Sequence, residues 1–97
     1  MKTIVEFGTT HCSQCKYQEQ LLSKAVLPED VKYISIKLDE NPFGEQLMSN
    51  LNITHTPVII VFNKFAADMD GEELNKNIIA RFDGVTTPVK ILNALKA

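Results

Sequence analysis

The sequence feature that most constrains this chain is a pair of cysteines between a strand-like and a helix-like segment. The chain of 97 residues contains two cysteines, Cys12 and Cys15. The run from Thr3 to Phe7 is rich in strand formers, and the segment from about Cys12 to Leu27 has a helical pattern. Residues i and i+3 lie on the same side of a helix. The spacing therefore brings the two sulfurs close enough for a reversible disulfide.

A helix N-terminus at Cys12 would make its thiol more reactive. Unpaired backbone N–H groups and the helix dipole stabilise negative charge there, and the thiolate is the nucleophilic form of cysteine. Two other interpretations stay open. The cysteines could be small apolar core residues, or half of a zinc site with His11 and His55 as further ligands. The strand-to-helix context favours a redox pair.

Composition and charge exclude several classes of function. Hydrophobic residues make up 44% of the chain, charged residues 23%, and the formal net charge is −2. These values predict one globular domain over residues 1–97, without a nucleic-acid or membrane partner. No apolar run is long enough to span a membrane. The acidic residue Glu6 lies where a secretory signal would need an uninterrupted apolar segment. We therefore expect a cytoplasmic protein.

The order of the elements predicts the fold class. Further strands are expected at Val31 to Leu38, Val58 to Phe62 and Ile78 to Phe82, and helices are expected to open at Asn41-Pro42 and Thr87-Pro88. The acidic stretch from Asn63 to Lys76 is interpreted as a long exposed connection with at most a short helical turn near its end. The order β-α-β-α-β-β-α predicts an α/β fold in which helices cover both faces of a four-stranded mixed sheet.

Individual side chains can also be placed from the pattern. In the first helix, Cys15, Leu22 and Val26 fall on one apolar stripe, while Gln18 is expected to face solvent. Thr10 is the candidate N-cap. If the first strand is central in the sheet, the carboxyl group of Glu6 is buried, and burial raises a carboxyl pKa.

On the basis of these motifs, the chain resembles the thioredoxin family along nearly all of its length. The matching residues are the end of the first strand with the cysteine motif, the turn after the second strand, the segment around a Thr-Pro pair, and one glycine. They are Glu6-Phe7, Cys12-Ser13-Gln14-Cys15-Lys16, Asp39-Glu40-Asn41-Pro42, Ile53 to Phe62 and Gly84.

The resemblance implies a thioredoxin-like protein-disulfide reductase and a role for each matching residue. Cys12 would attack a substrate disulfide, Cys15 would resolve the mixed disulfide, and Glu6 would shuttle a proton for Cys15. Pro57 would follow a cis peptide bond and, with Thr56, would form the surface that pairs with a substrate strand. The family implies no cofactor, a monomer, disulfide-containing protein substrates, and a reductase or glutathione as electron donor.

The chain departs from the usual thioredoxin motif at three places. His11 replaces a tryptophan before the first cysteine, and Ser13-Gln14 replace Gly-Pro. A protonated His11 would stabilise the neighbouring thiolate, although an exposed histidine without a role is an equal alternative. Thr56 replaces an apolar residue, and its hydroxyl could bind the Cys12 sulfur.

Two alternative functions follow from these departures. The short segment before Cys12 also resembles glutaredoxins, which makes a glutathione-dependent oxidoreductase the second interpretation. The third is a non-enzymatic module that uses the fold to hold a metal through Cys12 and Cys15 or to dock a partner at Pro57.

Overall fold

The computed structural model describes residues 1–96, in which strands and helices alternate along the chain. The elements in order are β1 (Lys2–Gly8), α1 (Ser13–Ser23), β2 (Val31–Lys37), α2 (Gly44–Asn50), β3 (Val58–Phe62), α3 (Gly71–Lys76), β4 (Ile78–Asp83) and α4 (Pro88–Leu95).

The four strands form one mixed sheet in the order β2-β1-β3-β4. Strand β1 runs parallel to β2 and antiparallel to β3, and β4 is antiparallel to β3. All five residues of β3 are buried, as expected for a continuous apolar run covered on both faces. The predicted fold class is confirmed, and β1, which leads into the cysteine motif, is a central strand.

The apolar side chains of β1 alternate between the two faces of the sheet and contribute to two hydrophobic cores. Val5 and Phe7 belong to the larger core with α2 and α3, which contribute Leu47, Leu51 and Leu74. Ile4 belongs to the smaller core, together with Leu22 of α1 and Ile91 of α4. Because side chains alternate across a strand, Glu6 lies on the same face as Ile4, beneath α1.

The stretch from Asn63 to Lys76 is more ordered and less exposed than predicted. It contains the helix α3, which begins after Asp70, whose carboxylate accepts a hydrogen bond from the Glu73 N–H. Leu74 is fully buried, and the ring of Phe65 packs against those of Phe7 and Phe62. The short helical turn predicted near the end of this stretch is thus the helix α3, which the predicted element order did not include.

Helix α1 is shorter than predicted. It ends at Ser23, so Val26 lies outside the helix and is 90% exposed instead of packed in the core. The predicted solvent-facing Gln18 is fully buried beside Cys15 and Leu22 on the inner face. By contrast, α4 begins as predicted, with Thr87 as the N-cap and Pro88 in the first turn.

The helices of the described part of the chain are all too short or too polar to cross a lipid bilayer.

Candidate active site

The two cysteines lie where the chain passes from β1 into α1. Cys12 is the N-cap residue of α1, and Cys15 lies in its first turn, with 5.2 Å between their Cα atoms. Their sulfurs form a disulfide. Cys12 is partly exposed, whereas Cys15 is 0% exposed. Only the first sulfur of the pair is thus open to attack or to contact from outside.

Two hydrogen-bond donors converge on the sulfur of Cys12. The Cys15 backbone N–H donates to Cys12 Sγ over 3.1 Å, and the Thr56 hydroxyl donates to the same atom over 3.6 Å. The contact that the sequence predicted for the Thr56 hydroxyl is therefore present. Donors of this kind, together with the helix dipole, favour the thiolate over the thiol when the pair is reduced.

Thr56 and Pro57 reach the cysteines from the loop before β3. The peptide bond between them is cis, and Pro57 is buried. The Pro57 carbonyl accepts a hydrogen bond from the Gly84 N–H over 2.9 Å. The structure thus brings together three segments that are far apart in sequence: the cysteine motif, the Thr56-Pro57 pair and the loop after β4.

The loop before Cys12 is held by the loop after β2. The Thr10 N–H donates to both carboxylate oxygens of Asp39, at 3.1 and 3.3 Å, and the Thr10 hydroxyl donates to Glu40 over 2.8 Å. Thr10 therefore connects the loop before α1 to the loop after β2. The prediction that it caps α1 was wrong, since Cys12 is the N-cap.

His11 is exposed at the edge of the site and lies near the Asp39 carboxylate. Hydrogen bonding from Thr10 lowers the pKa of Asp39, and the charge of His11 adds to that effect. The imidazole thus has an acidic neighbour as well as the adjacent Cys12.

Glu6 is a fully buried carboxyl group with one satisfied oxygen. The Tyr33 hydroxyl donates to Oε1 over 2.8 Å, whereas Oε2 is buried without a hydrogen-bond partner among residues 1–96. Burial raises the pKa of Glu6, and the hydrogen bond from Tyr33 partly opposes that rise. A buried carboxyl with a raised pKa and an oxygen without a hydrogen-bond partner is suited to take up and release a proton.

Gly8 lies beside both this carboxyl group and the buried cysteine. A β-carbon placed on Gly8 would stand 3.1 Å from Cys15 Sγ and 3.8 Å from Glu6 Oε2. A side chain at position 8 would therefore crowd Cys15. Glu6 Oε2 and Cys15 Sγ both lie beside Gly8, which brings the buried carboxyl group and the buried thiol to the same part of the site.

Tyr33 was not identified as a site residue from the sequence, although a signal for it existed. Its alternation with Ser35 and Lys37 along β2 places it on the Glu6 side of the sheet, since Ile4 pairs with Tyr33 and Glu6 with Ser35. On the same side, Glu19 of α1 accepts hydrogen bonds from Ser35 and Lys37. The polar side of β2 therefore forms the outer wall of the Glu6 site.

Replacement of Tyr33 by phenylalanine is expected to raise the pKa of Glu6 further. The substitution removes the hydrogen bond that stabilises the charged carboxylate, so a higher pH is needed to ionise the group. NMR titration of the Glu6 side-chain carboxyl carbon measures this change in the pKa. Tyr17→Phe, at an exposed tyrosine of α1, is the matched control and should leave the titration unchanged. A Glu6 pKa that is equal in Tyr33→Phe and the parent protein would contradict this role of Tyr33.

Metal ligation was the other chemistry suggested for the cysteines. Among residues 1–96, no group of three or more histidine, cysteine, aspartate or glutamate side chains is arranged to hold a metal ion. His55 lies in the loop before Pro57, and its Nδ1 is 2.8 Å from the Thr54 carbonyl oxygen.

Comparisons with known proteins identify the fold. No family model and no curated protein matches the chain. Among solved structures, thioredoxin-2 of the malaria parasite is 19% identical, with a TM-score of 0.74, 99% of this chain covered and 82% of that one. Chloroplastic thioredoxin z is 26% identical, with a TM-score of 0.70 and coverage of 99% and 76%. Mitochondrial thioredoxin 3 from Saccharomyces cerevisiae, in its oxidised form, is 21% identical, with a TM-score of 0.68 and coverage of 98% and 76%.

The chain therefore has the thioredoxin fold, which confirms the resemblance found in the sequence. This fold, together with a bonded cysteine pair at the start of α1, supports a thiol-disulfide oxidoreductase as the class of protein.

Proposed function

We propose that the protein reduces disulfides in other proteins through the Cys12–Cys15 pair. The observation that carries the proposal is the asymmetry of the pair within the thioredoxin fold. One sulfur is partly exposed at a helix N-terminus and receives two hydrogen bonds, and the other is buried in the first turn. A nucleophile must be accessible and activated, whereas a resolving thiol only needs to reach its neighbour.

The first step of the proposed reaction is attack by the Cys12 thiolate on a substrate disulfide. A bond forms between Cys12 Sγ and one substrate sulfur, and the substrate's own disulfide bond breaks. The second substrate sulfur leaves as a thiolate and takes up a proton. The Cys15 N–H and the Thr56 hydroxyl stabilise the thiolate of Cys12 before the attack.

The second step is attack by Cys15 on the mixed disulfide. Cys15 loses its proton to Glu6, whose Oε2 has no hydrogen-bond partner among residues 1–96 and lies with Cys15 Sγ beside Gly8, and the Cys15 thiolate attacks Cys12 Sγ. The Cys12–Cys15 disulfide forms, and the remaining substrate sulfur leaves with the electron pair of the broken bond and accepts a proton. Two electrons have then passed from the pair to the substrate, and Glu6 has served as general base.

The substrate is proposed to lie against Thr56 and Pro57, with His11 at the edge of the contact. Pro57 has no backbone N–H, so Thr56 offers the backbone groups next to Cys12 that can pair with an extended substrate segment. An imidazole at position 11 offers a polar contact where thioredoxins usually carry an indole.

The oxidised pair needs two electrons from a donor before the next turnover. The donor is proposed to be a dithiol-disulfide reductase, with glutathione as the alternative. We also propose that residues 1–97 form one domain that acts as a monomer. The cytoplasmic location stays a prediction, since the similar structures include mitochondrial and chloroplastic thioredoxins.

The variant Cys15→Ser is expected to trap the intermediate of this reaction. Without the resolving thiol, Cys12 should remain bound to its substrate as a mixed disulfide that a reductant releases. Mass spectrometry after separate incubations with disulfide-bonded insulin and with glutathione disulfide detects the adduct, and the variant lacking both cysteines is the control. Absence of any adduct on Cys12 would contradict the proposal. Accumulation only with glutathione disulfide would favour the glutathione-dependent alternative.

A further inference from the structure

Gln18 is a buried polar residue to which the proposed reaction assigns no role. Its side chain is 0% exposed on the inner face of α1, one turn after Cys15. The neighbouring residues on this face, Cys15 and Leu22, are apolar, and an apolar side chain at position 18 would pack there without needing a partner. A buried amide is unfavourable unless its oxygen and nitrogen are hydrogen-bonded. Its partners therefore indicate what it does.

Both ends of the Gln18 amide bind the backbone of a single distant residue. The Thr86 N–H donates to Gln18 Oε1 over 2.7 Å, and Gln18 Nε2 donates to the Thr86 carbonyl over 3.0 Å. Thr86 is itself buried and lies between the end of β4 and the start of α4. Its backbone groups thus have neither a strand nor a helix partner, and Gln18 supplies both hydrogen bonds. We call this pair of hydrogen bonds the Gln18 clamp.

The clamp connects the cysteine helix to the loop that contacts Pro57. Gly84, two residues before Thr86, donates its N–H to the Pro57 carbonyl over 2.9 Å. Between them, Val85 is 41% exposed. Hydrogen bonds from Gln18 to Thr86 and from Gly84 to Pro57, joined by the short chain segment between Gly84 and Thr86, therefore link α1 to Pro57.

We propose that Gln18 is a positioning residue that holds the segment from Gly84 to Thr87 against Pro57, and that this segment forms part of the surface that binds protein substrates. The inference rests on the proposed function of the Cys12–Cys15 pair. Gln18 does not touch the reacting sulfurs through any of its hydrogen bonds, so its effect falls on binding of a polypeptide and leaves the chemistry of Cys12 unchanged. A disulfide too small to reach Val85 is then insensitive to the clamp.

Gln18→Met tests the clamp, because methionine has a similar volume and offers no amide. With dithiothreitol as the reductant, the KM for insulin should rise about tenfold, since two hydrogen bonds that fix the loop are lost. The kcat for insulin and the rate with hydroxyethyl disulfide should stay within about twofold of the parent values. Gln20→Met, at an exposed position of the same helix, is the matched control and should change none of these values.

A second variant and a second measurement cover the case in which Gln18→Met does not fold. Gln18→Glu keeps an acceptor for the Thr86 N–H, and its KM should lie between those of the parent and Gln18→Met. Amide hydrogen exchange followed by NMR should show faster exchange at Gly84 and Thr86 in either folded variant, with Cys15 and Leu22 unchanged.

The outcomes distinguish a failure of the positioning role of Gln18 from a failure of the proposed reductase function. A folded variant with the parent's KM for insulin, or with an equal loss of rate on insulin and hydroxyethyl disulfide, would overturn the positioning role. Failure of the parent protein to reduce either disulfide would instead contradict the proposed function. In that case the exchange rates at Gly84 and Thr86 would still decide whether Gln18 holds the loop.

Discussion

Cys12→Ser is expected to lower the rate of insulin reduction by on the order of 10³-fold or more, to the rate of dithiothreitol alone. A serine hydroxyl stays protonated at neutral pH and does not attack a disulfide, and Cys15 is too buried to replace the lost nucleophile. The two donors that converge on position 12 would then have no thiolate to stabilise. The measurement is the turbidity of reduced insulin over time.

The matched control for this variant is Ser13→Ala, which changes an exposed hydroxyl at the next position and leaves both sulfurs in place. It should retain the parent's rate. A Cys12→Ser protein that is folded and reduces insulin as fast as Ser13→Ala would show that the nucleophile lies elsewhere.

Glu6→Gln is expected to slow the resolving step by about 10²-fold at neutral pH, the usual size of a general-base effect. Glutamine has the same shape and still accepts the hydrogen bond from Tyr33, but it cannot take the proton of Cys15. Formation of the mixed disulfide at Cys12 should be unchanged. Rapid mixing and acid quenching, followed by separation of the mixed disulfide, resolves the two steps. Equal slowing of both steps would contradict the assignment of Glu6 to the second.

The same variant is expected to change how stability depends on pH. Because the folded protein raises the pKa of Glu6, it binds more protons than the unfolded chain above the ordinary value of 4.5. The parent should therefore lose stability as the pH rises from 4.5 through the raised pKa, and Glu6→Gln should lose less. Urea unfolding at several pH values measures the difference, with the exposed Glu45→Gln as the control. A stability difference between Glu6→Gln and the parent that does not grow with pH would contradict the raised pKa.

Much of the fold could be predicted because local chemistry and tertiary structure agree. The run from Val58 to Phe62 is apolar at every position and forms the strand buried on both faces. The pair Thr87-Pro88 satisfies the rules for a helix start and begins α4. The cysteine spacing predicted a bonded pair at the start of a helix, which the structure contains.

The polar residues of the interior could not be predicted, because their partners are distant in sequence. A glutamine on a helix is usually exposed, and nothing near Gln18 indicates that it binds Thr86, 68 residues away. Likewise, the acidic composition of the segment after β3 concealed Phe65, whose burial depends on its contacts with Phe7 and Phe62. These positions are fixed by tertiary packing and not by local propensity.

The N-terminus of α1 shows the same limit at the site itself. Thr10 has a good capping side chain, but its amide and hydroxyl bind Asp39 and Glu40, so Cys12 takes the capping position. The sequence therefore predicted the bonded cysteine pair at the start of α1 but not the contacts of Thr10 with Asp39 and Glu40.

A redox titration of the Cys12–Cys15 pair tests the proposed reductase function most directly. The protein is equilibrated in dithiol buffers of defined potential, its free thiols are alkylated, and the oxidised fraction is measured by mass. We expect a single reversible transition that consumes two electrons, with both thiols appearing together and a potential reducing enough to pass electrons to protein disulfides. If Cys12 and Cys15 form no intramolecular disulfide at any potential, the proposed reductase mechanism is wrong.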